Sequence, residues 1–328
     1  MGEIMILVTG GAGYIGSHYV QYALEQGEKV VVLDNLAYGH SEAVPEGVPF
    51  IKGDMGDASL MDQLFTTYPV DAVVHFAAFA YVGESVTDPA KYYNNNTCAT
   101  LVVLDAMRRH KINNFVFSST CATYGNPQYV PMDEKHPQSP INPYGESKYF
   151  VENILRAYDR AYGLRFTALR YFNAAGCDPQ GRIGESHNPE THLIPLILDV
   201  ATGKRAHIDV FGTDYDTPDG TCVRDYIHIL DLAQAHALAL KRLRAGGESA
   251  IYNLGTEQGY SVREVIATCE KVTGKPIKFV ESPRRAGDPP RLVASAGKAR
   301  TELGWVPHYQ NLEKIISTAW NWEQNRRY

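Results

Sequence analysis

No Cys-x-x-Cys pair occurs anywhere in the 328 residues, and the five cysteines (Cys98, Cys121, Cys177, Cys222 and Cys269) are odd in number and far apart. Neither a disulfide framework nor a zinc ribbon is indicated, so buried free thiols are expected. No apolar run reaches the ~20 residues that span a bilayer, because Tyr, Lys, Asp or Glu interrupts each candidate. Positive charge is scarce as well. The net charge is −6, and the pairs Arg284-Arg285 and Arg326-Arg327 are too short to form a stripe for nucleic acid. The opening segment, Met1 to Val8, passes straight into a strand-like run without the basic, apolar and small-residue regions of a secretory leader. Repeats, heptads and low-complexity tracts are lacking too. What is present is an ordinary globular balance, 44% hydrophobic and 21% charged, which points to a cytoplasmic chain with a large domain carrying a smaller one.

Ile4–Val8 is a short β-rich apolar run, Gly10–Gly16 breaks it, and Tyr14–Gln26 has helix-compatible content. The same alternation continues through the strands 29–33, 48–51, 72–75 and 115–118, with helical stretches at 59–66 and 89–110. Strands that are apolar throughout and alternate with helices predict a doubly wound parallel α/β sheet of Rossmann type, with ligands at the strands' carboxyl ends. A helix from Pro143 and a strand over 165–169 follow, and then a Gly, Pro and Asp-rich region over 176–189. The expected division is residues 1–172 plus about 225–245 for the dinucleotide unit, and 173–224 plus about 246–328 for a smaller α/β substrate unit.

Thr9-Gly10-Gly11-Ala12-Gly13-Tyr14-Ile15-Gly16 fits both Gly-x-Gly-x-x-Gly and Gly-x-x-Gly-x-x-Gly. Without Cβ atoms a tight turn and close approach to a pyrophosphate become possible, and the helix N-terminus stabilises the anion. Alone the pattern is weak, since ordinary turns also carry glycines. Here it follows a strand, opens a helix and precedes Asp34, 18 residues after Gly16, whose carboxylate can accept from both ribose hydroxyls. A 2′-phosphate would meet that negative charge, and Asn35 and Leu36 offer no arginine. NAD is expected rather than NADP.

Tyr144 and Lys148 form the chain's Tyr-x-x-x-Lys pair, and Pro143 suits the first turn of a helix that would place both on one face. A coincidental surface pair has the same spacing. Against that reading, tyrosine needs roughly 4 kcal/mol of help to ionise at neutral pH, which a nearby ammonium and a positive ring would supply. Ser118-Ser119-Thr120 also ends the apolar run 115–117, so its hydroxyls fall on the same rim as the glycine loop.

With these residues the chain resembles the extended short-chain dehydrogenase/reductase family, and within it the UDP-hexose 4-epimerases, over essentially its whole length. The likeness runs through Val8–His18, Asp34–Leu36, His75–Ala78, Val82–Val86, Pro143–Lys148, Leu169–Asn173, Val223–His228 and Pro283–Asp288. It implies that Tyr144 takes the proton from sugar O4 while C4 gives hydride to NAD, that Thr120 binds the same oxygen, and that Lys148 holds the nicotinamide ribose and lowers the tyrosine pKa. The 4-keto sugar then turns and takes the hydride back on its other face, leaving NAD as a retained prosthetic group. The cofactor would be held by Gly10, Gly13, Tyr14, Ile15, Gly16, Asp34, Asn35, Asp54, Met55, Phe76, Ala77, Asn95, Ser118, Tyr144, Lys148 and Tyr171. The UDP-sugar would be held by Thr120, Asn173, Leu193, Phe211, Arg224, Arg285 and Asp288. A homodimer paired through the helices near 89–110 and 143–162 is implied as well.

Departures from the family pattern are few. Thr120 replaces a serine and keeps its hydroxyl, while Ala80 replaces a lysine and removes a positive charge near the cofactor. Leu292 stands where a tyrosine bounds the pocket of glucose-restricted relatives, so N-acetylated sugars are expected to fit. His192 replaces an asparagine; no ligand partners are apparent near it, and no metal is expected. A 4,6-dehydratase would need carboxyl groups where Cys121 and Ala122 follow Thr120. A non-catalytic NAD sensor would have no use for Tyr144, Lys148, Thr120 and Asn173 together.

Overall fold

The computed structural model describes residues 3–285 and 287–328; Met1, Gly2 and Ala286, the last within the Pro283–Asp288 segment, lie outside the described residues. The strands are β1 (Met5–Thr9), β2 (Lys29–Asp34), β3 (Phe50–Lys52), β4 (Val70–His75), β5 (Asn114–Thr120), β6 (Arg165–Tyr171), β7 (Asn173–Ala175), β8 (Ile208–Phe211), β9 (Val223–His228), β10 (Ala250–Leu254), β11 (Gly259–Ser261), β12 (Phe279–Ser282) and β13 (Arg291–Leu292). The helices are α1 (Tyr14–Glu25), α2 (Ala58–Thr67), α3 (Val82–Thr87), α4 (Pro89–Tyr92), α5 (Ala99–Arg109), α6 (Pro143–Tyr162), α7 (Leu193–Thr202), α8 (Ile229–Arg244), α9 (Val262–Thr273), α10 (Gly297–Leu303) and α11 (Leu312–Gln324).

Seven strands form one wholly parallel sheet in the order β10-β6-β5-β4-β1-β2-β3. Successive residues of a strand face opposite sides, and both sides are buried. On β1, Ile6 and Val8 pack with Val20 of α1 and Leu232 of α8, while Leu7 packs with Met61 of α2, Leu104 of α5 and Leu155 of α6. Apolar residues at every position, not every second one, follow from that double cover. After β3 the chain returns to the far side of β1, so a crevice opens at the carboxyl ends of β1 and β4.

The smaller unit is built around β9, with β11 antiparallel and β7 and β13 parallel to it, beside a β8–β12 pair. Ile197 of α7, Val265 of α9 and Ile315 of α11 share its core. Two strands fall differently from the expected division. β9, expected with the first unit, pairs within the smaller sheet, and only α8 after it covers the large one. β10, expected with the second unit, is the large sheet's edge strand, because Tyr252 and Leu254 are buried beside β6. The helical stretch expected over 89–110 contains a π-helical turn, Tyr93–Cys98, between α4 and α5. Cysteines 177, 222 and 269 are buried as expected, but Cys98 is exposed.

Helix α6 is bounded by Asn142, whose side chain accepts from Gly145 N–H at 2.8 Å, by Pro143 at its first position and by left-handed Gly163 after its end. A Cβ on Gly145 would lie 2.5 Å from Ala122 O, so glycine lets the helix start close against the loop after β5. Farther along, fully buried Glu152 accepts from Arg170 of β6 (Nε–Oε1 2.8 Å, Nη2–Oε2 2.5 Å), from Ser119 of β5 at 2.7 Å and from Gln138 at 3.1 Å. Arg170 also donates to Tyr124 Oη at 2.8 Å, which donates to Asn253 of β10 at 2.6 Å. Breaking such a pair leaves a buried charge unpaired. Glu152→Ala is expected to lower unfolding stability by about 3–5 kcal/mol in urea titrations followed by circular dichroism; a loss within error of zero would show that the network does not anchor α6.

Candidate active site

Strand register places the expected cofactor residues at one height. Leu33, Thr9, His75 and Phe117 are aligned across β2, β1, β4 and β5, so Asp34, Gly10, Phe76 and Ser118 are the next residues along the carboxyl rim. Three strand spacings make this row roughly 14 Å long, a length suited to a ligand of two nucleotides. A cleft beside it is lined by Gly10, Gly13, Asp34, Asn35, Met55, Phe76, Ala77 and Asn95 from the sequence reading, together with Tyr38, Gly39, Gly53 and Phe79, which that reading missed.

The glycines fit this cradle for separate reasons. Gly10 has φ +71°, and a Cβ there would lie 2.5 Å from Ala77 N; at Gly16 it would lie 2.1 Å from Gly10 O. Gly13 is the N-cap of α1, with no side-chain cap and no acidic residue in the first turn, so the helix's free N–H groups face the cleft's glycine loop. Asp34 is 8% exposed, and burial raises its pKa. It accepts from Ala12 N–H at 3.0 Å and Leu36 N–H at 2.8 Å, which leaves carboxylate lone pairs for ribose hydroxyls. The cradle therefore fits an NAD whose adenosine ribose is unphosphorylated.

Other expected cofactor residues sit differently. The Tyr14 hydroxyl donates to Gly176 O at 2.5 Å, so its side chain joins the two units, as a buried group with a raised pKa. Ile15 and Gly16 belong to the first turn of α1. Exposed Asp54 accepts from Asn35 Nδ2 at 3.3 Å and from Gly56 N–H at 2.7 Å. Asn95 donates to Asn96 Oδ1 at 2.9 Å, and buried Asn96 in turn holds both Phe79 N–H and O at 2.9 Å and Ser147 Oγ at 3.1 Å. The π turn thus clamps the cleft wall to α6, and no spacing rule in the sequence signals Asn96. The charge missing at Ala80 has a neighbour: Lys91 Nζ stands 4.3 Å from the Phe79 ring centre, paired with Glu84 at 2.7 Å.

Tyr144, Thr120 and Lys148 come together at the rim. Burial pushes the Tyr144 phenol up to about 12, with the Thr120 hydroxyl pulling partly the other way. Lys148 donates to Ser118 O at 2.9 Å, and burial pushes it down to about 7. Burial draws both groups toward their neutral forms. Ser118 Oγ and Tyr171 Oη form a short hydrogen bond, and Tyr171 and Phe76 both pack against His236.

The expected substrate residues converge on the smaller unit's side. Asn173 donates to Asp225 O at 2.9 Å. Arg224 donates to Val223 O and Pro289 O at 2.9 Å and stands 3.6 Å from Asp288, which also accepts from Arg285 Nε at 2.9 Å. The Arg285 guanidinium lies 4.8 Å from the Phe211 ring centre. Leu193 opens α7 directly after His192. The view of His192 as isolated needs correction: Glu185, His187 and Glu190 lie within seven residues before it and surround it, so the run of Glu and His in this loop is a signal the sequence already carries.

Lys148 sets a pH test. Its native value lies below that of an unfolded lysine, so the native state binds fewer protons between about pH 7 and 10 and stability rises with pH through that window. Lys148→Met, studied without cofactor, is expected to lose that part of the rise. Urea midpoints at pH 7 and 9.5 decide the matter, and equal gains in both proteins would contradict the lowered value.

Residues 6–255 match the model of the NAD dependent epimerase/dehydratase family. The chain is 54% identical to UDP-glucose 4-epimerase of Halalkalibacterium halodurans over 97% of its own length and 95% of the relative's. The crystal structure of UDP-glucose 4-epimerase from Brucella ovis in complex with NAD is 49% identical, with TM-score 0.94 over 96% and 97% of the two chains. That from Bifidobacterium longum in complex with NAD+ and UDP is 39% identical, with TM-score 0.93 over 98% of each. On sequence and fold alike, the chain belongs to the NAD dependent epimerase/dehydratase family.

Proposed function

We propose that this chain interconverts UDP-glucose and UDP-galactose with NAD, through a 4-keto sugar. The observation that carries the reading is the meeting of Tyr144, Thr120 and Lys148 at the carboxyl rim beside a cleft suited to a dinucleotide. NAD, held by the glycine loop and Asp34, would supply a hydride acceptor for sugar C4 and then a donor to the sugar's other face. Tyr144 exchanges the proton of the 4-hydroxyl, and Thr120 holds that oxygen by a hydrogen bond. A positive charge brought beside the phenol would lower its pKa and let it act as base. Lys148, fixed on Ser118 O, orients the ribose.

Inversion requires the hexose to turn while its diphosphate stays put. Guanidinium forks suit that grip, and Arg224 and Arg285 supply them, with Asn173, Leu193, Phe211 and Asp288 around the nucleotide. In this reading the seven-stranded sheet with its helices is the NAD unit, and the β9 sheet with α7, α9 and α11 is the sugar-nucleotide unit.

A second substrate class has one observation in its favour. Leu292 is aligned with Arg224 across β13 and β9 and packs against the cluster that contains Tyr124 and Phe172, so an apolar side chain smaller than tyrosine borders the site. UDP-N-acetylglucosamine would then be a second substrate. Incubation of the purified chain with UDP-galactose, without added NAD, should give UDP-glucose on analysis after quenching. Tyr144→Phe should bind NAD yet lose turnover by about 10²-fold or more. Turnover by that variant near the wild-type rate would remove the acid/base role, and inertness toward the N-acetylated sugar alone would remove the second class.

We also infer a cytoplasmic homodimer. All five cysteines are free, and no helix among the described residues is long and apolar enough to cross a membrane. Val86, Phe150 and Tyr162 are exposed on α3 and α6, an apolar face suited to a second copy. Light scattering should give twice the chain mass, and Phe150→Glu should shift it toward the monomer; a monomeric wild type would end this reading.

A further inference from the structure

A second cluster of reactive side chains lies outside the cleft, on the loop between β7 and α7. Glu185, His187, Glu190 and His192 each place one nitrogen or carboxylate oxygen within 4.8 Å of the others. His192 Nδ1 is 2.8 Å from Glu185 Oε1 and 3.0 Å from Glu190 Oε1, while His187 Nδ1 is 3.3 Å from Glu185 Oε1 and 3.4 Å from Glu190 Oε2. Four donors held tetrahedrally at about 2.1 Å from a cation stand about 3.4 Å apart. The four histidine–carboxylate separations, 2.8 to 3.4 Å, lie at or inside that value, with Glu190 turning a different oxygen toward each histidine.

Hydrogen bonding accounts for only part of the cluster. Glu185 is 8% exposed, yet its Oε1 has no hydrogen-bond partner, and neither has buried Nδ1 of His187. Glu190 Oε1 accepts from His192 Nδ1 at 3.0 Å and from the backbone N–H groups of Thr191 and His192 at 2.7 and 2.8 Å, which leaves Glu185 Oε1 and His187 Nδ1 as the two atoms without a partner. A buried carboxylate oxygen left without a partner is costly. The surroundings are ordered: Trp322 donates to Glu185 O at 2.9 Å, and the rings of Tyr14 and Tyr81 stand edge-on to His187 at 5.9 and 6.3 Å.

We propose that Glu185, His187, Glu190 and His192 bind one divalent cation of the zinc class, which fixes the loop leading into α7. Two imidazoles argue against calcium or magnesium, which take oxygen ligands. Two carboxylates balance the charge of the ion when both imidazoles are neutral. Protons are the competing occupants: against the downward pull of burial, the carboxylates hold His187 up at about 9 and His192 at about 10.

The test uses the full chain, freed of metal by a chelator and titrated with Zn2+ in a calorimeter, with metal content read by atomic emission after gel filtration. One tight equivalent per chain is expected. Glu185→Gln and His192→Gln should each weaken it by about a hundredfold or more, at least the loss that disturbing an outer partner brings. Co2+ should give the visible absorption of a tetrahedral site in the wild type alone. Should Glu185→Gln fail to fold by circular dichroism, His192→Gln, at the cluster's exposed edge, carries the comparison. Absence of stoichiometric Zn2+ in the wild type would assign the cluster to imidazolium–carboxylate pairs and overturn the proposal. So would equal retention in the folded variants, which would place the ion elsewhere.

Discussion

The buried ion pair between Glu152 and Arg170 fixes where the candidate chemistry happens. Tyr144, Lys148 and Glu152 are four residues apart on α6 and so share one face. With Glu152 tied to β5 through Ser119, to β6 through Arg170 and onward to β10 through Tyr124, the helix cannot slide along the sheet. Two turns nearer its start, Tyr144 then meets Thr120, and Lys148 meets Ser118 O. Desolvation makes such a pair expensive to form, and a hydrophobic replacement of equal volume could be as stable. What the ions supply, and an apolar contact would not, is a fixed register for the helix.

Burial governs the rest of the site's electrostatics. Tyr144 is held up, Lys148 is held down, and His75, between Thr9 and Thr100, is held low by burial and then by the lysine. The protein thus presents a nearly uncharged wall where reaction is proposed. Charge gathers instead at the far end, in Arg224, Arg285 and Asp288, where a diphosphate would sit. Separating the two regions leaves the reacting atoms sensitive to whatever charge a ligand brings.

The glycine loop, Asp34 and the Tyr144/Lys148 pair were legible in the sequence because each rests on spacings of a few residues, which backbone geometry alone converts into position. The parallel sheet was legible for a similar reason, since double cover demands unbroken apolar runs. Asn96, Arg170 and the convergence of the Glu185–His192 cluster were not. Asn96 and Arg170 owe their roles to partners fixed by crossover connections, which no local period records, whereas the cluster's four residues lie within eight consecutive positions and only their convergence needed the structure. Tyr14 lies within a well-marked motif, and its hydroxyl donates to Gly176 O, a tertiary partner that the motif does not signal. Strands β9 and β10 pair across the expected division, because short apolar strands look alike wherever they pair.

The π turn over Tyr93–Cys98 sits inside an otherwise continuous helical run from Pro89 to Arg109. Such a turn holds one residue more than an α-turn, and each residue of an α-helix turns the chain by about 100°. It therefore acts as a phase shifter. Lys91, before it, addresses the mouth of the cleft at Phe79 and pairs with Glu84 of α3, while Thr100 and Leu104, after it, address the sheet. Were one residue deleted here, the two halves would come into a common phase and one set of contacts would rotate away. Length, more than composition, is what this segment must conserve, so an alignment gap inside it would mark a different cleft.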